Sequence, residues 1–301
     1  MALYVVILVG SFLSRIVPRS LRYLIGSAVG HAVYVIWARK RVVLRDNMAT
    51  VLGMNSAEPQ VKRLALKSMR NYCKYLVEFL ELPVLSRHDK VIENMRIDGV
   101  EHLQAALAKG AGVILATAHF GTIEVPGLRL TDYTDFHAVY DSFSPAYLDK
   151  LIQRQRMGQG IDLIPVNNIR RMLRVLSGGG TLAMLFDRPV EIGKGVPVRY
   201  FGRETAVPGG PAVLALKTGA TILPVYTVRE PDKSFTSLIN PPLTWTSTGE
   251  RDRDVQTIMQ KLMNTLQAAV HSRPDQWYMF RPMWPDMPSA LPSGNLEPTS
   301  R

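Results

Sequence analysis

A histidine that directly follows a β-prone apolar run, with a glutamate five positions on, carries the clearest chemical potential in this 301-residue chain. The segment reads GVILATAHFGTIEVPG, with the run Gly112–Thr117 ahead of His119 and Glu124 downstream. A carboxylate that accepts from one imidazole nitrogen fixes the tautomer and stabilises the imidazolium, leaving the other nitrogen to take a proton. That is the equipment of a general base. On a continuous helix five positions turn the chain through about 500°, so the two side chains would point roughly 140° apart. They converge only if the strand ends at His119, the chain turns at Phe120-Gly121 and a helix begins near Glu124. The bland alternative is a structural hydrogen bond. Asp187-Arg188 follows a second apolar run, Thr181–Phe186, and is expected at the same sheet edge as His119. It is read as site architecture or a substrate contact, and Glu191 is a nearby acid that could also address the His119 ring. No metal centre is expected. The single cysteine, Cys73, excludes a cysteine-rich zinc site, and His102 and His137 lack a helical i,i+4 spacing with His119.

The elements that must position these residues follow from periodicity. Residues 59–82 place Val61, Leu64, Ala65, Met69, Tyr72, Leu76, Phe79 and Leu80 at spacings of three and four, which predicts an amphipathic helix with Pro59 in its first turn. Gly112–Thr117 is a continuous apolar run, the mark of a strand buried on both faces of a parallel sheet. Further strands are predicted at Met95–Asp98, Phe136–Tyr140, Ile161–Pro165, Thr181–Phe186, Val196–Tyr200, Thr221–Thr227 and Ser234–Ile239. Helical stretches fall at residues 99–109 and near Pro145–Gly158, Ile169–Gly178, Gly210–Gly219 and Asp252–Val270. Alternating strands and helices give an α/β fold, with a mixed, mostly parallel central sheet flanked by helices over residues 46–285. Phe201-Gly202 and Pro208–Pro211 make a Gly/Pro-rich turn into the helix that follows, either a plain cap or a helix N-terminus that meets a phosphate. Residues 286–301, rich in Pro, Ser and Gly, are expected to be a disordered tail.

Composition narrows the partners. The chain is 47% hydrophobic and 20% charged, which excludes a disordered protein. Its 36 Lys+Arg against 25 Asp+Glu leave a net charge of +11, so the partner is expected to be anionic. Nucleic acid is not that partner: the basic residues are spread along the chain, without an interleaved aromatic RNA motif or zinc-finger spacing. Residues 1–45 form an N-terminal hydrophobic, membrane-associating helical segment. Two apolar runs, Met1–Val17 and Leu21–Ala38, each fall at or just under the ~20 residues that cross a bilayer. Arg39-Lys40-Arg41 and Arg45 follow, as in a segment that lies on or dips into the cytoplasmic leaflet. Burial in a globular core is the competing reading, and a true span by residues 1–17 stays open. The absence of a basic region before the first run argues against a cleaved signal peptide.

The wider pattern resembles the lipid A biosynthesis acyltransferase family, which includes lauroyl and myristoyl transferases and phosphatidylinositol mannoside acyltransferases, within the lysophospholipid acyltransferase superfamily. His119-x4-Glu124 resembles the H-x4-D/E signature of glycerolipid acyltransferases. The segments RVVLRDNMATVLG (41–53), QRQRMGQGIDLIP (153–165), LFDRP (185–189), RYFGRETAVPGGPAVLALKTGATILPVY (199–226) and WYMFRPMWP (277–285) resemble the family's further motifs in order. The resemblance covers roughly residues 1–285. It implies a membrane-associated O-acyltransferase on the cytoplasmic face of the inner membrane, acting as a monomer without a cofactor. An acyl chain would pass from acyl carrier protein or coenzyme A to a hydroxyl of a lipid-linked sugar. His119 would be the base and Glu124 its orienter; Arg156, or its competitor Arg154, would hold a substrate oxygen. Backbone N–H groups around Phe120–Thr122, or an arginine, would face the developing oxyanion. The segment FGRETAVPGG only weakly echoes the phosphate block of glycerolipid members, so a glycerol-phosphate acceptor is disfavoured. A non-catalytic lipid-binding protein on the same fold is the alternative, distinguished by its failure to consume thioester.

Overall fold

The computed structural model describes residues 16–82, 85, 89–142, 146–158, 160–191 and 193–285. The expected tail at 286–301 and most of the first apolar run therefore lie outside the described residues.

The chain enters on two helices, α1 (Arg19–Ile36) and α2 (Ala38–Leu52), which meet at Trp37 at an angle of 99°. Among the described residues no single helix is long and apolar enough to cross a membrane; these two meet that test only as a bent pair. Helix α3 (Pro59–Glu81) is the amphipathic helix that the spacing predicts. It receives α1 along a stripe of small residues. A Cβ on Gly30 would fall 2.7 Å from the Arg70 Cα, so only glycine permits this approach. A short α4 (Lys90–Glu93) leads to β1 (Arg96–Asp98), α5 (Val100–Ala108) and β2 (Val113–Thr117). Then come α6 (Val125–Leu130), β3 (Phe136–Tyr140), α7 (Ala146–Met157), β4 (Asp162–Pro165), α8 (Ile169–Ser177) and β5 (Thr181–Leu185).

The central sheet has seven strands in the order β1-β9-β8-β2-β5-β3-β4, with β8 at Thr221–Arg229 and β9 at Phe235–Ile239. Every pairing is parallel except β8–β9. It is the mixed, mostly parallel sheet that the sequence predicts. Strand β2 lies at its centre, and its alternation divides the core in two. Ile114 and Ala116 face one hydrophobic cluster, which includes residues of α2, α3 and the long α10 (Arg251–Ser272). Val113 and Leu115 face the other, with Leu103 and Ala106 of α5. That double burial explains why the run 112–117 carries no polar residue before Thr117.

One expected strand behaves differently. Val196–Tyr200 (β6) stands outside the central sheet and pairs antiparallel with β7 (Arg203–Val207), a segment for which no strand is expected. Phe201 and Gly202, both at positive φ (48° and 75°), make the two-residue connection whose twist suits a hairpin. Helix α9 (Gly210–Thr218) follows. After α10, a 3-10 turn (Pro274–Gln276) feeds the closing segment 277–285, in which Trp277 and Trp284 are fully buried.

Candidate active site

Strand register, rather than local spacing, builds the site. Neighbouring strands β2 and β5 run parallel, with Thr117 opposite Leu185. Two residues further on each chain come His119 and Asp187, so the register sets them side by side at the carboxyl end of the sheet. Parallel neighbours lie about 4.8 Å apart, within side-chain reach, and open α/β sheets form their sites at this edge.

The contact is double. The Asp187 carboxylate accepts from the His119 backbone N–H at 2.9 Å and from the ring at Nδ1 at 2.7 Å. Asp187 is completely buried, whereas the His119 side chain keeps 25% of its surface open. A carboxylate against Nδ1 favours the tautomer with its proton there and leaves Nε2 free of that partner. Burial, and then the Asp187 charge, push the Tyr200 hydroxyl well above the usual tyrosine range; a second neutral phenol, Tyr226, is raised by burial with the same carboxylate contributing.

This corrects the expected pairing. Glu124 does not orient His119. It sits at the start of α6, largely buried, and both its oxygens are taken by Arg156: Nε at 3.1 Å and Nη2 at 2.5 Å. The helix does begin where expected, with Glu124 as its N-cap, but the strand register gives His119 to Asp187 and Arg156 of α7 takes Glu124. Burial alone would lower the Arg156 guanidinium, but the Glu124 charge and hydrogen bonds outweigh it and hold the group above its usual value. The guanidinium fork expected to hold a substrate oxygen is thus engaged on Glu124. Of the two arginines considered, Arg156 is inside and Arg154 is exposed. Nor does Glu191 address the ring; it is 76% exposed and pairs with Lys194 at 2.6 Å. Arg188, beside Asp187, reaches Asp141 at 3.8 Å, with 43% and 67% of the two side chains exposed.

The turn between His119 and Glu124 is held by backbone bonds. The N–H of Phe120 donates to the Ala118 carbonyl at 2.7 Å, that of Gly121 to Gln276 at 2.7 Å and that of Thr122 to Thr227 at 3.0 Å. All three donors are committed to backbone carbonyls, so these N–H groups do not offer the expected oxyanion contact. Gly121 adopts φ +65°, and a Cβ there would lie 1.7 Å from the Thr227 oxygen. Glycine is the residue this turn requires.

The closing segment locks against the same turn. Tyr278 N–H donates to the His119 carbonyl at 2.9 Å. Asn47 of α2 donates to the carbonyls of Met279 (2.8 Å) and Arg281 (2.9 Å) and accepts from Met283 N–H (3.1 Å). The asparagine in the segment 41–53 and the aromatic run 277–285 are therefore one structural device, although the sequence keeps them more than 200 positions apart. Tyr72, Tyr75, Tyr278 and Phe280 form an aromatic wall, with Tyr72 and Phe280 centroids 4.7 Å apart. Burial, followed by the nearby Glu124 charge, raises the Tyr75 phenol well above its usual value, which places this wall beside the Glu124–Arg156 pair. No group of three or more candidate metal ligands occurs among the described residues.

Comparison with known proteins gives a consistent result. Residues 1–285 match the profile of the bacterial lipid A biosynthesis acyltransferase family. A phosphatidylinositol mannoside acyltransferase of Mycolicibacterium smegmatis is 30% identical over 247 residues, covering 80% of this chain and 78% of the relative. One from Mycobacterium tuberculosis is 30% identical over 249 residues, covering 80% and 76%. The lipid A biosynthesis palmitoleoyltransferase of Escherichia coli is 24% identical over 219 residues, covering 72% and 71%.

Proposed function

Because this chain belongs to the bacterial lipid A biosynthesis acyltransferase family and is an acyltransferase, we propose that it moves a fatty acyl chain from a thioester to a hydroxyl of a lipid-linked sugar. His119 is the base of that reaction. The observation that carries this is the His119–Asp187 contact, which engages Nδ1 while a quarter of the His119 side chain remains open. The acceptor hydroxyl attacks the thioester carbonyl carbon while its proton passes to Nε2. The Asp187 carboxylate stabilises the resulting imidazolium. When the tetrahedral intermediate collapses, the C–S bond breaks and Nε2–H returns the proton to the leaving sulfur. The products are an ester and a free thiol. A base of this kind contributes roughly 10²–10⁴-fold to the rate. Glu124 and Arg156 are paired with each other, and the acid in contact with the ring is Asp187.

The donor is an acyl carrier protein or coenzyme A thioester. The acceptor is a mannosylated phosphoinositide in preference to a lipid A precursor, supported by the greater identity and coverage of the mycobacterial relatives. The protein works on a membrane surface. The outward side of α1 and its junction with α2 expose Leu24, Ile25, Val29, Ile36 and Trp37, followed directly by Arg39, Lys40 and Arg41. Such an apolar face beside basic residues suits an anionic leaflet.

The test is acyl transfer from radiolabelled palmitoyl-coenzyme A to purified phosphatidylinositol mannoside, with product mass read by mass spectrometry. The wild type is expected to add one acyl chain, and His119→Ala to lose transfer by roughly 10²–10⁴-fold. Full retention of transfer by His119→Ala would remove the base from the account.

A further inference from the structure

Three cations from three separate segments, Lys40, Arg188 and Arg281, come near one another on backbone that adjoins Asp187 or is bound to His119. Arg188 adjoins Asp187 in the chain. Arg281 lies three residues beyond Tyr278, whose N–H is bound to the His119 carbonyl at 2.9 Å. Lys40, near the start of α2, donates from Nζ to the Phe280 carbonyl at 2.9 Å, one residue from Arg281. The backbone carrying Arg281 is fixed again by Asn47, which holds the Arg281 carbonyl at 2.9 Å. The cluster is therefore built on braced backbone and not on a free loop.

Its charges repel one another. Burial, and then the Arg188 charge, hold the Arg281 guanidinium below its usual value, with Asp141 acting weakly the other way. Burial, then Arg281 and Arg39, lower the Lys40 ammonium. Counter-charge is scarce among the described residues. Asp141 lies 3.8 Å from Arg188 in the open, where an ion pair contributes little, and its effect on Arg281 is the smallest of the three acting there. Glu191 is turned to Lys194. Arg281 lines a depression of about 340 Å³ together with Pro189, Val190, Glu191, Met283 and Trp284. Crowded like charges, reachable by solvent and more numerous than the exposed acids near them, are stabilised by a multivalent anion. Arginine forks match phosphate oxygens in pairs, and a lysine adds a point charge.

We propose that Lys40, Arg188 and Arg281 form a phosphate-binding subsite adjoining the catalytic pair, which takes a phosphate ester carried by one of the two substrates. The identity of those substrates rests on the acyl-transfer reading; the existence of the subsite does not. Two sources offer this chemistry: the nucleotide phosphates of a coenzyme A thioester, or the phosphodiester of a phosphoinositide headgroup.

The test is isothermal titration of the full chain in detergent with two probes, adenosine 3′,5′-bisphosphate and myo-inositol 1-phosphate. The proteins are wild type, His119→Ala, the double variant Arg188→Gln/Arg281→Gln and the double variant Arg188→Lys/Arg281→Lys. At least one probe is expected to bind wild type and His119→Ala alike. Its affinity should fall about tenfold or more in the glutamine variant, as expected for the loss of two charge-assisted contacts, and stay closer to wild type in the lysine variant. The probe that binds identifies the source. Failure of both probes to bind wild type at millimolar concentration overturns the subsite, and so does unchanged binding in the glutamine variant. Equal loss in both double variants also overturns it, because it marks a folding defect and not a charge site. Since His119→Ala keeps all three cations, probe binding without any acyl transfer by the wild type contradicts the reaction and leaves the subsite standing.

Discussion

At the scale of single residues, two acids compete for one histidine, and the distant one wins. Glu124 is nearer in sequence, but Asp187 shares the strand register with His119 and binds both its backbone and its ring. Glu124 instead forms a two-point pair with Arg156, in which the side chains are 8% and 17% exposed. Removing one member of so enclosed a pair leaves the other buried and uncompensated, at a cost of about 3–5 kcal/mol. Glu124→Gln and Arg156→Gln should each lower stability by that order, and the double variant by clearly less than their sum. Urea denaturation of the three proteins measures this; strictly additive losses would mean that the two groups do not depend on each other. The sequence showed which residue types matter here and misassigned who meets whom. A five-residue spacing invites a local pair, whereas the true partner lies 68 positions away. The one available signal was that Asp187 follows its apolar strand as closely as His119 follows its own.

At the scale of elements, the strand-to-helix turn after β2 carries the site, and glycine makes it possible. Gly121→Ala forces a Cβ onto the Thr227 oxygen and adds the strain of a positive φ. This variant should lose both stability and acyl transfer, because the bonds from Gly121 and Thr122 that seat His119 must break together. Wild-type transfer by Gly121→Ala, measured with the same labelled donor, would show that the turn is more compliant than its contacts imply. The buried strands and the long helices were legible because their periodicity is strong: β2, β5, α3 and α10 all fall where the apolar pattern puts them. Strand β7 was not. Its residues RETAV offer two charges and no alternation, and the turn signals at Phe201-Gly202 and Pro208-Gly209 mask a five-residue strand between them. The break at Trp37 was equally hidden, since the apolar run continues through it.

At the scale of the whole molecule, net charge and an outward apolar helix act together. Leu24 is 65% and Ile36 81% exposed, and neither supports the core. Each apolar side chain that enters a bilayer contributes about 1.5–3 kcal/mol, and each adjacent basic residue roughly 1 kcal/mol on an anionic surface. Leu24→Asp/Ile36→Asp should therefore weaken sedimentation with phosphatidylglycerol vesicles by roughly tenfold or more, while the denaturation midpoint stays near wild type. Raised salt should weaken binding of the wild type as well. Vesicle binding indifferent to both changes would place the membrane contact elsewhere on the molecule. The charge surplus was plain in the composition; the approach of Lys40, Arg188 and Arg281 to one another was not, because only the folding of three distant segments brings it about.

The central claim is that Asp187, and not Glu124, sets the histidine for proton transfer. The direct test is the single-turnover rate of acyl transfer in Asp187→Asn, with substrate saturating and folding confirmed by the denaturation midpoint. Asparagine keeps the shape but cannot stabilise the imidazolium, so the rate should fall by roughly 10²–10⁴-fold with little change in stability. A rate equal to wild type in Asp187→Asn would contradict the account.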